Sequence, residues 1–258
     1  MFKFVRIAFF LIQFTRLNAQ VVNIENRRIY DDTLGWSGAL DASFSVVNNK
    51  EVLINANFRP RVQYKTKNHY YLFLTDWYYS KGASQVFANS GMIHFRYAYR
   101  LHRKESTKKS PWKWESYSQI QYNELLDQRI RAILGSGIRL KVLDRSGYRI
   151  FAGTSTFFEY EEIQSSHIIN RDYRWSNYLS WYFNPKSRFS FSAVTYFQPL
   201  SRDFKDFRFM GQYSAMFQVF KRTDLRFECN NYYDSRPADN VRNWMFNATI
   251  GVHIRLGE

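Results

Sequence analysis

The sequence predicts an all-β protein, a transmembrane antiparallel β-barrel of about 12 strands behind a cleaved signal peptide. Three observations predict it. Apolar and polar residues alternate along most of the chain, aromatic residues are abundant, and the first twenty residues have the layout of an export signal.

The alternation is plainest in "NWMFNATIGVHIRLGE", where Trp244, Phe246, Ala248, Ile250, Val252, Ile254 and Leu256 interleave with Met245, Asn247, Thr249, Gly251, His253 and Arg255. Successive side chains of a strand point to opposite faces, so this period belongs to a strand. An aromatic fraction of 19%, from 24 Phe, 19 Tyr and 7 Trp, suits pleated surfaces. Five Pro and eleven Gly are too few for a fibrous or low-complexity chain.

In chain order, the first element is the leader. "MFKFVRIAFFLIQFTRLNAQ" has basic Lys3 and Arg6, an apolar stretch from Ile7 to Phe14 broken only by Gln13, and small Ala19 before Gln20. This order is that of a secretory signal at residues 1–19. The apolar stretch is far shorter than the roughly 20 residues that a spanning helix needs. Residues 20–34 then form a short periplasmic segment, and 35–258 the barrel. Removal of the leader takes away Lys3, Arg6 and Arg16 and no acid, which lowers the formal charge from +15 to +12. An exported basic protein meets anionic lipid headgroups, acidic polysaccharide or anionic solutes rather than nucleic acid. The single Cys229 cannot form an internal disulfide.

Strands are expected at 35–47, 51–64, 69–79, 91–101, 112–123, 131–143, 148–160, 170–183, 188–198, 207–219, 225–234 and 242–256. In the second, Leu53, Asn55, Asn57, Arg59, Arg61 and Gln63 oppose Val52, Ile54, Ala56, Phe58, Pro60, Val62 and Tyr64. The third, "HYYLFLTDWYY", is largely apolar on both faces. In the ninth the apolar face is Phe189, Phe191, Ala193 and Phe197. In the eleventh, Leu225, Phe227, Cys229 and Tyr233 oppose Arg226, Glu228, Asn230, Tyr232 and Asp234.

Segments of ten to fourteen residues with charges on one face and large apolars on the other suit a bilayer, which tilted strands of about 9–11 residues cross. Backbone groups in lipid must all be paired, so such strands span only as a closed barrel. Tight polar turns at 65–68, 144–147, 184–187 and 220–224 follow even-numbered strands. Longer connections at 80–90, 124–130, 161–169, 199–206 and 235–241 follow odd ones, the rhythm of outer-membrane barrels. Short 48–50 and long 102–111 break it. Trp36, Tyr64, Trp77, Trp112, Trp114, Tyr173, Trp175, Tyr233 and Trp244 are candidates for two interfacial aromatic belts. Gly251, Ile254 and Leu256 in the last strand look like the signal read by the outer-membrane assembly machinery, an expected partner together with outer-membrane lipids.

Three stretches carry a family resemblance: "WESYSQIQYNELLDQRIRAILGSGIRLKVL", "RDYRWSNYLSWYF" and "NNYYDSRPADNVRNWMFNATIGVHIRL". They resemble the bacterial family called domain of unknown function 481, often labelled salt-induced outer membrane protein. The most telling pieces are Arg-x-x-x-Gly-x-Gly-x-Arg from Arg131 to Arg139 and Tyr-Asp-Ser-x-Pro from Tyr233 to Pro237, within a similarity over roughly 35–256. The resemblance implies a barrel in the outer membrane of a Gram-negative bacterium. It brings no catalytic residue with it.

The candidate lumen-lining residues are Arg59, Arg61, Arg96, Arg139 and Arg226 with Glu115, Glu159 and Glu228. His94, Arg100, Arg131, Lys141, Arg149, Arg174, Arg208, His253 and Arg255, with Asp41 and Asp172, fall on the same face. A ring of unpaired cations would select anions. A ladder of Arg–carboxylate pairs would instead fill and stabilise the barrel. The acids interleaved with the bases favour the filled lumen, in an envelope structural or stress-related barrel; a narrow anion-preferring channel is the alternative.

Catalysis of lipid acyl hydrolysis needs a serine, a histidine and an orienting partner. "SSH" at Ser165–His167 is the only close Ser–His grouping. With no Cys pair, His-rich run or phosphate loop, no metal or cofactor is expected. The basic cluster in "HRKESTKKS", from His102 to Ser110, reads as a solvated loop.

Overall fold

A computed structural model describes residues 34–48, 51–82, 85–101, 110–184, 188–220, 223–239 and 241–254, without the side chains of 253 and 254. The leader at 1–19, nearly all of the segment 20–34, the basic cluster at 102–109 and the side chains of His253 and Arg255 lie outside the described residues.

Twelve strands form: β1 Gly35–Asn48, β2 Val52–Lys65, β3 His69–Gly82, β4 Gln85–Arg100, β5 Trp112–Asn123, β6 Gln128–Arg145, β7 Tyr148–Ile163, β8 Ile169–Phe183, β9 Phe189–Leu200, β10 Asp203–Phe220, β11 Thr223–Asp234 and β12 Trp244–Ile254. Each is antiparallel to its neighbour in sequence, so the order runs from β1 to β12 without a crossover. A 3-10 turn, Glu124–Leu126, joins β5 to β6, capped by the Asn123 side chain, which accepts from the Leu125 amide.

The sheet rolls about a common interior. Arg208 on β10 reaches Glu159 on β7 at 2.6 Å, although β8 and β9 lie between those strands in the ladder. One cavity is lined from β4 round to β11. The seam of this barrel falls between β1 and β12, the two ends of the hydrogen-bonded order.

Exposure alternates along the strands as the pleat requires. On β3, Tyr71, Phe73 and Trp77 are exposed while Leu72, Leu74, Asp76 and Ser80 are buried. The double apolarity of this strand has a cause: Leu72 and Leu74 pack inward against Met92 of β4 in a small apolar cluster.

Outward aromatics form two girdles. At the tight-turn end Trp36, Tyr64, Tyr71, Tyr97 and Trp114 follow one another across β1–β5, with ring centroids 4.8, 6.3, 5.1 and 5.9 Å apart. Tyr148, Phe183, Phe189 and Phe217 continue the row across β7–β10 at 4.9, 5.8 and 4.6 Å. At the opposite end Phe158 meets Tyr173, and Phe197, Phe207, Tyr233 and Trp244 form a second row. Register places Tyr148 opposite Phe183 and Phe158 opposite Tyr173. Ten residues therefore separate the girdles on β7, which at about 3.3 Å each and a tilt of about 40° gives a band about 25 Å tall.

The expected loop rhythm needs correction at four places. β3 and β4 approach to within 83–84, β5 and β6 to within 124–127, β7 and β8 to within 164–168, and β9 and β10 to within 201–202, in place of the longer 80–90, 124–130, 161–169 and 199–206. The ladder continues beyond the apolar band, where outward positions such as Glu162 and Arg171 are polar. Polarity contrast ends there, but backbone pairing does not.

Candidate functional site in the barrel interior

The interior is organised by two ionic networks. In the first, Glu159 of β7, 1% exposed, accepts from Arg131 Nε of β6 at 2.5 Å, Arg174 Nε of β8 at 2.9 Å and Arg208 Nη1 of β10 at 2.6 Å. Arg208 also donates through Nη2 to Glu161 at 2.7 Å and through Nε to Asp234 at 2.8 Å. Arg174 Nη1 lies 2.9 Å from Asp206, and the Tyr232 hydroxyl donates to Asp234 at 3.0 Å. Forked guanidinium groups suit this work, because one arginine can serve several carboxylates at once.

The second network lies nearer the tight-turn end. Glu115 of β5 sits between Arg96 of β4, at 3.2 Å, and Arg139 of β6, at 3.5 Å. Both guanidinium groups also face rings, Arg96 at 5.3 Å from the Tyr117 centroid and Arg139 at 4.1 Å from that of Phe151. Cations over aromatic faces gain electrostatically where water is excluded.

The Arg-x-x-x-Gly-x-Gly-x-Arg stretch of β6 ties the two together. Arg131 belongs to the first network and Arg139 to the second, and between them Gly135 and Gly137 clear the wall. A Cβ at Gly135 would come within 2.5 Å of Tyr117 Cζ, and one at Gly137 within 2.2 Å of the Thr154 carbonyl oxygen.

A relay of amides spans the same gap. Gln128 Nε2 donates to Glu161, Gln121 Nε2 to Gln128 Oε1 at 2.8 Å, and Gln119 Nε2 to Gln121 Oε1 at 2.5 Å. His94 Nδ1 lies 3.0 Å from Gln119 Oε1. An ionised Glu161 only accepts, which fixes each amide in turn and makes His94 Nδ1 the donor. Between the networks lies a cavity of about 100 Å³ lined by tyrosines, glutamines and the network arginines.

Charge in this buried part of the wall balances. Arg96, Arg131, Arg139, Arg174 and Arg208 face Glu115, Glu159, Glu161, Asp206 and Asp234, five against five, all buried except the half-buried Arg131. The remaining expected residues lie elsewhere on the inner face. Arg59 binds Asp76 at 3.1 Å rather than Glu115, Glu159 or Glu228. Arg61 is half-buried on β2, in register with Ala39 and Leu74. Arg226 pairs with Glu228 near the seam, where their side chains are 53% and 33% exposed.

Sequence reasoning missed Asp76, Glu161 and Asp206. Glu161 and Asp206 stand in the stretches expected to be loops, and Asp76 in the strand that reads as apolar on both faces. Even spacing from Glu159 and from Arg208 is the signal that places Glu161 and Asp206 inward.

The Ser–His grouping separates on inspection. Ser165 Oγ donates to the Asp127 carboxylate, while His167, 70% exposed in its side chain, has Nδ1 3.7 Å from Glu162. Among the described residues no group of three or more His, Cys, Asp or Glu could hold a metal ion.

Fold and interior together define the class: an all-antiparallel, twelve-stranded barrel of the membrane-spanning type. The family described as "Protein of unknown function, DUF481" matches residues 44–254, and the chain belongs to it. A solved structure of the NanC porin in a rhombohedral crystal form is similar at 13% identity and a TM-score of 0.43, over 84% of this chain and 100% of that one. No curated protein matches the chain.

Proposed function

We propose that the protein is an integral barrel of the bacterial outer membrane whose lumen is held shut by its two ionic networks, serving the envelope as a structural element rather than an open conduit. The observation that carries this reading is Glu159, buried under Arg131, Arg174 and Arg208 from three other strands. Arginines spent on buried carboxylates do not form a selecting ring. The two aromatic girdles and the apolar band between them favour a bilayer location. Outer-membrane lipids are then its immediate surroundings, and the outer-membrane assembly machinery its folding partner. Export through the leader at 1–19 predicts a mature N-terminus at Gln20, readable by mass spectrometry.

The decisive test is conductance of the purified protein in planar bilayers. Negligible current is expected; steady, anion-preferring current would overturn the reading. That outcome would favour a second reading, a narrow anion passage along the seam, which the exposure of Arg226 supports. Lipid hydrolysis gains no support from Ser165 and His167, which engage different carboxylates.

A further inference from the structure

The two ends of the barrel differ in how their surface charge is matched. At the long-loop end the exposed Arg129, Arg202 and Arg236 each hold a carboxylate, Glu162 at 2.6 Å, Asp172 at 2.8 Å and Asp203 at 2.7 Å. At the tight-turn end the exposed Lys67, Arg145 and Arg188 have no carboxylate partner among the described residues. The described acids nearest to them are committed: Asp144 is engaged by Lys141 at 2.5 Å and by Arg149 at 3.8 Å, and Asp224 is buried. On the inner side of the same rim Arg100 and Lys113 stand directly opposite each other in register, and like charges so placed add to a positive field.

Local structure carries each of the three cations just past the aromatic girdle. Lys67 tips a turn closed by Thr66, whose amide donates to the His69 carbonyl at 2.8 Å and whose hydroxyl accepts from the His69 amide at 2.9 Å. The girdle residues Tyr64 and Tyr71 flank that turn. Arg145 is in register with Tyr148 across a turn in which Gly147 has a φ of 79°. Arg188 precedes Phe189, and its carbonyl accepts from the Gln218 amide of β10 at 2.6 Å. Interfacial aromatic rings sit at the level of lipid headgroups, so cations one turn beyond them reach the phosphate plane.

Their spread round the rim decides what kind of anion they fit. Lys67 lies between β2 and β3, Arg145 between β6 and β7, and Arg188 between β8 and β9. Lys67 and Arg145 are thus four strands apart, about 19 Å along the sheet at about 4.8 Å per strand. No small solute spans that distance. A lipid leaflet surrounds the barrel and presents a phosphate to each turn, and short turns of such barrels face the periplasm.

We propose that the tight-turn rim is a docking surface for anionic phospholipid headgroups of the periplasmic leaflet, held by Lys67, Arg145 and Arg188. This rests on the outer-membrane reading above and not on the closed lumen.

The test is tryptophan fluorescence of the purified barrel in mixed bilayers of phosphatidylethanolamine and phosphatidylglycerol, with one lipid at a time carrying dibrominated, quenching chains. Trp36, Trp112 and Trp114 of the tight-turn girdle are exposed reporters. A preference for phosphatidylglycerol of about fivefold is expected, the effect of one cation beside an anionic surface, and it should shrink as salt is raised. Lys67→Gln, Arg145→Gln and Arg188→Gln combined should abolish the preference, while Lys67→Arg, Arg145→Lys and Arg188→Lys combined should keep it. Glutamine at Arg129, Arg202 and Arg236 should leave it unchanged; an equal loss there would overturn the proposal. So would abolition by sn-glycerol 3-phosphate at constant ionic strength, which would mark a site for free phosphate. A wild-type barrel that inserts, as read by heat-modifiable gel migration, yet shows no preference would overturn the proposal alone. Failure to insert into bilayers of either lipid would overturn the membrane reading and the proposal with it.

Discussion

Arg131 and Arg139 stand eight residues apart on the inner face of β6 and are bound into different ionic networks, Arg131 to Glu159 at 2.5 Å and Arg139 to Glu115 at 3.5 Å. An even separation keeps both side chains inside the barrel. Eight residues at about 3.3 Å each set them about 26 Å apart along the strand. The two glycines between them lie where Tyr117 and the β7 backbone press closest, so one nine-residue stretch fixes both ends of the packed interior and the space between.

Glu159→Gln tests the first network. It leaves Arg131, Arg174 and Arg208 around a neutral amide, and breaking a buried ionic cluster by removing one partner costs roughly 3–5 kcal/mol. Glu228→Gln is the control: its partner Arg226 is 53% exposed, and pairs so hydrated contribute about 1 kcal/mol at most. Urea unfolding followed by tryptophan fluorescence should separate the two variants widely. Equal losses would mean that the buried side of the wall is no drier than the seam.

Gly153→Ala tests the packing of the tyrosines. The added methyl would sit 2.1 Å from Tyr178 Cε1, so the ring must leave its place on the wall. Overpacking of this kind typically costs about 1–3 kcal/mol. Loss of midpoint in urea together with a changed near-ultraviolet dichroism is the expected pair of signals. Gly251→Ala on β12, with open space where the Cβ would stand, should leave both unchanged.

The strands were legible because their outward faces are apolar for as long as they cross the band. Where β7 and β10 rise past it, Glu162 and Lys205 replace the outward apolars, the period-2 contrast disappears, and Glu161 and Asp206 are hidden in apparent loops although the ladder carries on. Lumen arginines could be recognised by face, but their partners could not. Arg208 reaches Glu159 across two intervening strands, a distance that depends on how tightly the sheet rolls and not on any local pattern. Alternation tells which side a residue is on; it carries no information about what stands opposite across the barrel.

Cys229 tests the face assignment of β11. It pairs in register with Tyr213 and Ala248, and it alternates with Leu225, Phe227 and Tyr233, so its thiol points to the outer surface within the apolar band. A water-soluble maleimide should label it slowly in intact membranes and rapidly after denaturation. Fast labelling in the membrane would mean a register shifted by one residue, which would turn every side chain of the strand to the other face.

Charge reversal on the inner face separates a plug from a passage. Arg59 binds Asp76, whose side chain is only 3% exposed, so Arg59→Glu sets two carboxylates together at a buried position and should destabilise the barrel without producing current. Arg226→Glu falls at the hydrated seam beside Glu228, where stability should change little. Any passage for anions along β11, β12, β1 and β2 would run past this residue. If it exists, the wild type conducts with anion preference and Arg226→Glu moves the reversal potential towards cations. With Arg131, Arg174 and Arg208 all committed to Glu159, the expected result is that neither the wild type nor either variant carries steady current.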